Sequence, residues 1–274
     1  MIRDITIGQY YPAQSVIHRL DARVKIVCTL VFMVSLFIQN SILGYAIATV
    51  FLAAVIKISK VPFRFIVKGL KAIVIILLFT VVMNLFLTKG GEVLVSFWVF
   101  EITESGLRTS VLMAVRLIYL IMGSSMMTYT TTPNSLTDGL ESLLHVLNKI
   151  HVPVHEIAMM MSIALRFIPI LLDETDKIMK AQEARGADFE SGNLIEKVKA
   201  MVPILVPLFV SAFRRANDLA LAMESRCYTG GEGRTKMKPL IYQKRDYAAY
   251  GVIILYFAAV FVIGRYVPFK LWIF

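Results

Sequence analysis

The sequence predicts an all-α membrane protein with about five transmembrane helices and a helical cytoplasmic segment inserted before the last of them. The first observation is composition: 57% of the 274 residues are hydrophobic and the mean hydropathy is +0.70, well above a soluble chain of this length. The second is a set of apolar runs as long as membrane spans. The third is a six-residue phrase that occurs twice, at 181–186 and 222–227.

The apolar runs predict five spans. A helix rises 1.5 Å per residue, so crossing a core of about 30 Å takes roughly 20 apolar residues. The run from Ile26 to Ser59 is too long for one crossing, and the polar residues at 39–41 with Gly44 break it in two. Because this first run is followed by further runs, a cleaved signal peptide is not expected. The predicted spans are 24–40, 42–58, 69–87, 106–129 and 247–267.

Charge in the connections predicts the orientation of these spans. The N-terminal tail and the connection 57–71 are basic, whereas the connection 92–104 carries three glutamates. The N-terminus and, after four crossings, the segment 133–245 are therefore placed in the cytoplasm, and the C-terminus outside. The chain divides into a membrane region 1–132, a cytoplasmic or interfacial segment 133–245, and a last span with the C-terminus, 246–274.

The inserted segment is predicted to be helical, with helices at about 134–149, 154–184 and 194–226. Its internal prolines should kink or start helices, because proline cannot donate the intrahelical hydrogen bond; they are Pro169, Pro203 and Pro207. Two apolar stretches, 157–172 and 201–213, are short and charged at their edges, which favours helices that lie at the membrane interface or pack under the transmembrane helices. Met159, Met160 and Met161 form either an adaptable surface for partners or ordinary core packing, and both interpretations remain open.

The repeated phrase carries the functional prediction. Residues Ala181-Gln182-Glu183-Ala184-Arg185-Gly186 return as Ala222-Met223-Glu224-Ser225-Arg226-Cys227. One arginine in a last turn is explained by the helix dipole, which favours it by about 0.3–1 kcal/mol. Two matching copies instead favour docking, in which each guanidinium forms a forked pair with a carboxylate of another subunit. Two such copies suit a dimer or two related subunits, and indicate a coupling protein rather than an enzyme.

Nearly the whole chain resembles the transmembrane T component of energy-coupling factor (ECF) transporters. The paired arginine phrases are the specific part, although the second departs from Ala-Arg-Gly by having Ser225 and Cys227, both small. The other matching segments are Gly8-Gln9-Tyr10, Ser15, His18-Arg19-Leu20-Asp21, Arg166-Phe167-Ile168-Pro169, Tyr228 and Gly233-Arg234-Thr235.

This resemblance implies a membrane subunit of a prokaryotic importer for vitamins or other micronutrients, in the plasma membrane. Two cytoplasmic ATPases of the ABC type would receive the helix ends Ala184-Arg185-Gly186 and Ser225-Arg226-Cys227. A separate substrate-binding membrane subunit, the S component, is predicted to contact Met159, Met160, Met161 and Pro169. ATP and Mg would be bound by the ATPases, so this chain is predicted to hold no cofactor, no metal and no catalytic residue.

Other classes of protein fit less well. The net charge of +10 is typical of nucleic-acid binding, but the basic residues flank apolar runs, so the lipid bilayer is the predicted partner. A metal enzyme would use His145, His151, His155 and Glu156, yet Pro153 interrupts the helix that would align them. The glycine-rich segment 230–235 lacks the lysine and the preceding strand of a phosphate loop.

A self-sufficient secondary transporter is the remaining alternative. It would be expected to show paired repeats of spans and ionisable groups at mid-membrane. Five spans do not divide into equal halves, and the polar candidates in them are few. Arg116 is expected to snorkel or to meet a partner's polar group, and Asn84 to bond between helices.

Overall fold

The structure is a computed structural model that describes residues 10–39, 41–71, 73–88, 90, 93–97, 100–187, 189, 193–231, 237 and 239–266. The predicted all-α membrane class is confirmed, because about four fifths of these residues lie in helices. The helices are α1 (Ala22–Ile38), α2 (Ile42–Ser59), α3 (Phe63–Lys71), α4 (Val74–Leu87), α5 (Glu104–Thr130), α6 (Pro133–Leu144), α7 (Val154–Glu183), α8 (Leu194–Glu224) and α9 (Lys244–Tyr266), with a 3-10 helix at His145–Ile150.

Among the described residues, four helices are long and apolar enough to cross a membrane: α2, α5, α7 and α9. The pair α3 and α4 makes a fifth candidate if its 61° bend is allowed. Helix α1, the predicted first span, has 17 residues, about 25 Å of helix, and is slightly shorter than the usual bilayer core. The candidates number up to five, as predicted, but they include α7, whose stretch 157–172 was expected to be too short, and not α1.

The third predicted span, 69–87, is two helices rather than one. The basic connection 57–71 contains the amphipathic helix α3, which buries Ile66 against α5 and ends before α4 begins. A side-chain hydrogen bond holds it there, because the Tyr129 hydroxyl donates to the Phe65 carbonyl at 3.0 Å. Only α4 is apolar throughout, so the membrane-spanning part is shorter than the sequence suggested.

A short antiparallel hairpin, which the sequence did not predict, separates α4 from α5. Strand β1 (Val93–Phe97) pairs with β2 (Phe100–Thr103), with Phe97 opposite Phe100 and a register irregularity between Val93 and Val95. The hairpin leads directly into α5, whose N-cap Thr103 accepts a hydrogen bond from the Gly106 amide.

The described residues divide into two compact units. The membrane unit contains residues 10–140 and 240–266, and the coupling unit contains 141–231, 237 and 239. In the membrane unit the core lies between α1, α2, α5 and α9, where Phe32, Phe51 and Tyr256 pack their rings together. The Tyr256 hydroxyl is satisfied inside this core by Ser35 at 2.9 Å.

The coupling unit is built on the long helices α7 and α8. Their bounds match the predicted 154–184 and 194–226 closely, and both helices continue through their internal prolines. The predicted first helix of this segment, 134–149, is α6 followed by the 3-10 helix. Helix α7 begins at Val154 because Pro153 occupies its N-cap position, and His151 before it has a left-handed backbone.

Candidate functional site: the two arginine turns

The two copies of the repeated phrase fold into the same backbone turn. In each, four successive amides donate to carbonyls four, three, three and five residues earlier. The N···O distances are 3.1, 3.0, 2.9 and 3.0 Å for the amides of 184–187, and 2.9, 3.1, 2.8 and 3.0 Å for those of 225–228. The last two bonds of each set define a Schellman helix end, which satisfies carbonyls that the helix leaves open. The repeat in sequence is therefore a repeat in geometry.

In each turn the arginine is followed by a residue in the left-handed conformation. Gly186 has φ +86° and Cys227 has φ +56°. Glycine adopts this conformation without steric cost, whereas cysteine does not. Cys227 makes the stop of α8, and Gly230 (φ +104°) is a second left-handed residue beyond it. Residues 232–235 lie outside the described residues.

Both arginines are presented to the surroundings. All six predicted docking residues are exposed in the structure: Ala184, Arg185, Gly186, Ser225, Arg226 and Cys227. Among the described residues, neither the Arg185 nor the Arg226 guanidinium has a hydrogen-bond or ion-pair partner. An arginine that only capped its own helix would be expected to hydrogen-bond the last carbonyl groups of that helix. These two instead project from a fixed backbone turn.

The two turns lie at opposite ends of a helix pair. Helices α7 and α8 are connected through residues 184–193 and contact each other, with Arg215 bound to Glu174 at 3.2 Å. The chain beyond α8 returns to the start of α7, where Gly231 lies against His155. The helices therefore run antiparallel. Each arginine lies 11 residues, about 16 Å of helix, beyond the Arg215–Glu174 contact, so the two arginines lie on opposite sides of this contact.

The predicted contact surface for a substrate-binding subunit lies on the apolar half of α7. Met160 and Met161 are exposed, with 58% and 44% of their surface accessible, and Pro169 is exposed as well, while Met159 is half-buried. In α7 only Val154 and Ala158 are buried. Core packing within this chain therefore does not account for Met160 and Met161.

Of the histidines considered as metal ligands, His155 has a structural partner, and no cluster of three or more possible metal ligands occurs among the described residues. His155 Nδ1 bonds Glu141 Oε1 at 2.9 Å. A Cβ at Gly231 would lie 2.4 Å from the His155 ring, so glycine is required there for close approach of the backbone. His151 precedes α7, so the apparent four-residue spacing of His151 and His155 does not place them on one helical face.

The polar residues predicted within the spans also bind within this chain. Arg116 donates to the Tyr45 hydroxyl and to the Gln39 carbonyl, both at 3.1 Å, and so supports the C-terminal end of α1. Asn84 was expected to bond between helices; its side-chain amide instead donates to the Thr80 carbonyl of its own helix at 2.8 Å. Both residues thus have local structural roles.

The sequence did not predict a buried polar junction where α1 and α9 begin. Asp246, 1% exposed, accepts from the amides of Asp21 and Gln243 at 2.9 and 2.8 Å. Asp21 in turn caps α1 and pairs with Arg23 at 2.9 Å. Burial raises the pKa of Asp21, but hydrogen bonds from the Arg23 side chain and amide outweigh it and hold the pKa below its usual value. The junction fixes the starts of two spans together.

Part of the matching N-terminal segment supports the same junction. His18 Nε2 lies 3.0 Å from the Tyr11 carbonyl, which can only accept, so this nitrogen donates and Nδ1 accepts from Ser15 Oγ at 2.7 Å. Burial lowers the pKa of His18, which favours this neutral form. Gly8 and Gln9 lie outside the described residues.

These features define the class: a multi-pass, all-helical membrane protein that displays two equivalent arginine turns. The CbiQ family model, described as a cobalt transport protein, matches residues 13–237. The energy-coupling factor transporter transmembrane protein EcfT of Clostridium kluyveri is 58% identical over 250 residues, covering 91% of this chain and 93% of the relative. The proteins of the same name from Ruminiclostridium cellulolyticum and Bacillus subtilis are 51% and 48% identical over 269 and 246 residues, covering 98% and 90% of this chain and 100% and 93% of the relatives.

The chain therefore belongs to the CbiQ family and to the transmembrane components of ECF transporters. It is a multi-pass membrane subunit of a multi-subunit transport complex.

Proposed function

We propose that this chain is the non-catalytic coupling subunit of an ECF-type importer for vitamins or similar micronutrients. Two ABC-type ATPases bind and hydrolyse Mg-ATP, and their closure moves α7 and α8. A substrate-binding membrane subunit, held on the apolar face of α7, is reoriented by this motion and releases its cargo inside the cell.

The observation that carries this proposal is the pair of matching turns. Each turn holds an exposed arginine at the same place in the same set of backbone hydrogen bonds. Two equivalent arginine turns require two equivalent binding grooves. Two copies of one ATPase, or two related ATPases, provide them. The antiparallel arrangement of α7 and α8 puts the two arginines on opposite sides of the Arg215–Glu174 contact, which suits two binding grooves on different subunits better than two on one.

In the groove of each ATPase, the arginine is expected to pair with a carboxylate. Removing one partner of a well-buried pair typically costs about 3–5 kcal/mol, whereas an exposed pair contributes about 0–1 kcal/mol. Arg185→Glu or Arg226→Glu should therefore stop ATP-dependent uptake while the substrate-binding subunit still binds substrate. The double variant should lose both ATPases in pull-downs. Lysine should restore function only in part, because it lacks the planar fork.

The chain offers matched controls for charge reversal. Lys180→Glu changes an exposed cation in the last turn of α7, and Arg214→Glu changes an exposed cation on α8, both outside the turns. These variants should retain most of the uptake and keep the ATPases. Wild-type uptake by the double Arg185→Glu/Arg226→Glu variant would reduce both arginines to helix-end residues without a docking role.

A further inference from the structure

A largely apolar cleft of about 360 Å³ lies in the membrane unit between α1, α2, α5 and α9. At one end its wall contains Lys25 and Arg245, and about two helical turns further along these helices it contains Phe32 and Ile253. The cleft therefore has a cationic end and an apolar depth of roughly 12 Å. The exposed residue Val252 belongs to its wall, so the cleft is open to the surroundings.

The two cations at the cleft have capacity for a further ligand. Lys25 is only 8% exposed and donates to the carbonyls of His18 and Thr130 at 3.1 and 2.7 Å, which leaves one of its three N–H groups. The buried Nε of Arg245 has no hydrogen-bond partner among the described residues. An anion between them would accept from both donors.

The carboxylates close to this end are already engaged by other groups. Asp246 accepts from two backbone amides, and Asp21 pairs with Arg23. None of the described residues that line the cleft is acidic. The site thus has an apolar wall and, at one end, two cationic side chains with unused hydrogen-bond donors. An anionic lipid, which has an apolar chain and a negatively charged head group, matches both features.

We propose that this cleft binds an anionic glycerophospholipid, with an acyl chain along the apolar wall and the phosphate between Lys25 and Arg245. Guanidinium groups recognise phosphate oxygens, and basic pockets between transmembrane helices accept anionic head groups. An apolar helix of a partner would leave both cationic donors without an acceptor, whereas a phosphate accepts from both.

Photocrosslinking in the intact detergent-purified complex tests the proposal. Phosphatidylglycerol and phosphatidylcholine with the same photoactivatable acyl chain are added in parallel, and the labelled peptides are mapped. Phosphatidylglycerol should label peptides from 24–32 and 245–253 several times more strongly than phosphatidylcholine. Arg245→Gln should reduce this preference about fivefold, the effect of one cation near an anionic lipid surface.

Steric variants with matched controls separate the cleft from general lipid contact. Ala249→Phe fills the cleft and should abolish labelling of these peptides, whereas Ala258→Phe, at an exposed position on α9 away from the cleft, should not. Arg265→Gln removes an exposed cation at the other end of α9 and should leave the lipid preference unchanged. Equal labelling by the two lipids, or unchanged labelling in Ala249→Phe, would overturn the proposal. Unlabelled cleft peptides in the intact complex would also overturn it, because a partner subunit then covers the cleft.

Discussion

At the residue level, the two arginine turns differ in the residue that follows the arginine. Gly186 and Cys227 both have left-handed backbones, and a residue with a Cβ pays about 1–2 kcal/mol for this conformation. A Cβ built at Gly186 meets no atom within 4 Å, so the backbone conformation alone disfavours a side chain there. The second turn is therefore the more strained of the two.

Substitutions at these two positions should move local stability in opposite directions. Cys227→Gly should slow hydrogen exchange of the Tyr228 amide, and Gly186→Ala should speed exchange of the Ala187 amide, each by about fivefold for a change near 1 kcal/mol. Hydrogen–deuterium exchange with mass spectrometry on the purified complex measures both.

Gly251→Ala is the matched control for Gly186→Ala. Gly251 also has open space around its Cβ position, but it lies in the regular helix α9, where alanine is favoured over glycine by about 0.5–1 kcal/mol. Exchange around 251 should therefore slow or stay unchanged. Slower exchange in Gly186→Ala would show that the left-handed backbone carries no cost in this turn.

Local sequence was sufficient to find the arginine turns but not the junction of α1 and α9. The turns could be predicted because the end of the helix, the arginine and the small residue that follows it are adjacent in the chain. Asp246 and Lys25 were missed because their hydrogen-bond partners lie 225 and 105 residues away in sequence. A charged residue near the start of an apolar helix gives no sign of a partner at such a distance.

At the level of elements, α7 is divided into an apolar and a charged half. The half that contains Met160 exposes apolar side chains, and the half after Pro169 carries alternating charges up to Glu183. Met160→Asp should weaken binding of the substrate-binding subunit and leave the ATPases attached, because a carboxylate in an apolar contact loses its hydration. Copurification of both kinds of partner measures this effect.

Two further variants make the result on α7 decisive. Lys177→Asp places a carboxylate at an exposed position in the charged half and should leave the substrate-binding subunit bound. Met160→Trp keeps an apolar side chain but alters its shape, so it should weaken the contact without disturbing insertion. If both Met160 variants retain the substrate-binding subunit, this face of α7 is not part of the interface with that subunit.

Element boundaries followed closely from sequence where a strong signal was present. Pro153 predicted the start of α7, and the apolar lengths of α2, α5 and α9 predicted their bounds within about three residues. The break between α3 and α4 was missed because no proline or glycine lies between Lys71 and Leu87 to mark it; the amphipathic α3 is held by packing on α5. Tertiary contact decided that boundary.

At the level of the whole molecule, the membrane topology depends on what α7 does. With five crossings, formed by α1, α2, the α3–α4 pair, α5 and α9, residue 104 lies outside and residue 193 inside. Helix α7 is nevertheless long and apolar enough to cross. If it crossed and α8 did not, residue 193 would move to the outside. The charged half of α7 and the proposed docking of both turns on cytoplasmic ATPases favour five crossings, because both turns then lie in the cytoplasm.

Single cysteines distinguish the two topologies. In a background with Cys28→Ala and Cys227→Gly, a membrane-impermeant maleimide applied to intact cells should label Glu104→Cys, whereas Asn193→Cys should react only after permeabilisation. Lys60→Cys, exposed in the basic connection after α2, is the control and should behave like Asn193→Cys. Labelling of Asn193→Cys from outside, with Lys60→Cys protected, would show that α7 spans the bilayer. The Arg185 turn would then lie outside, where no cytoplasmic ATPase reaches it.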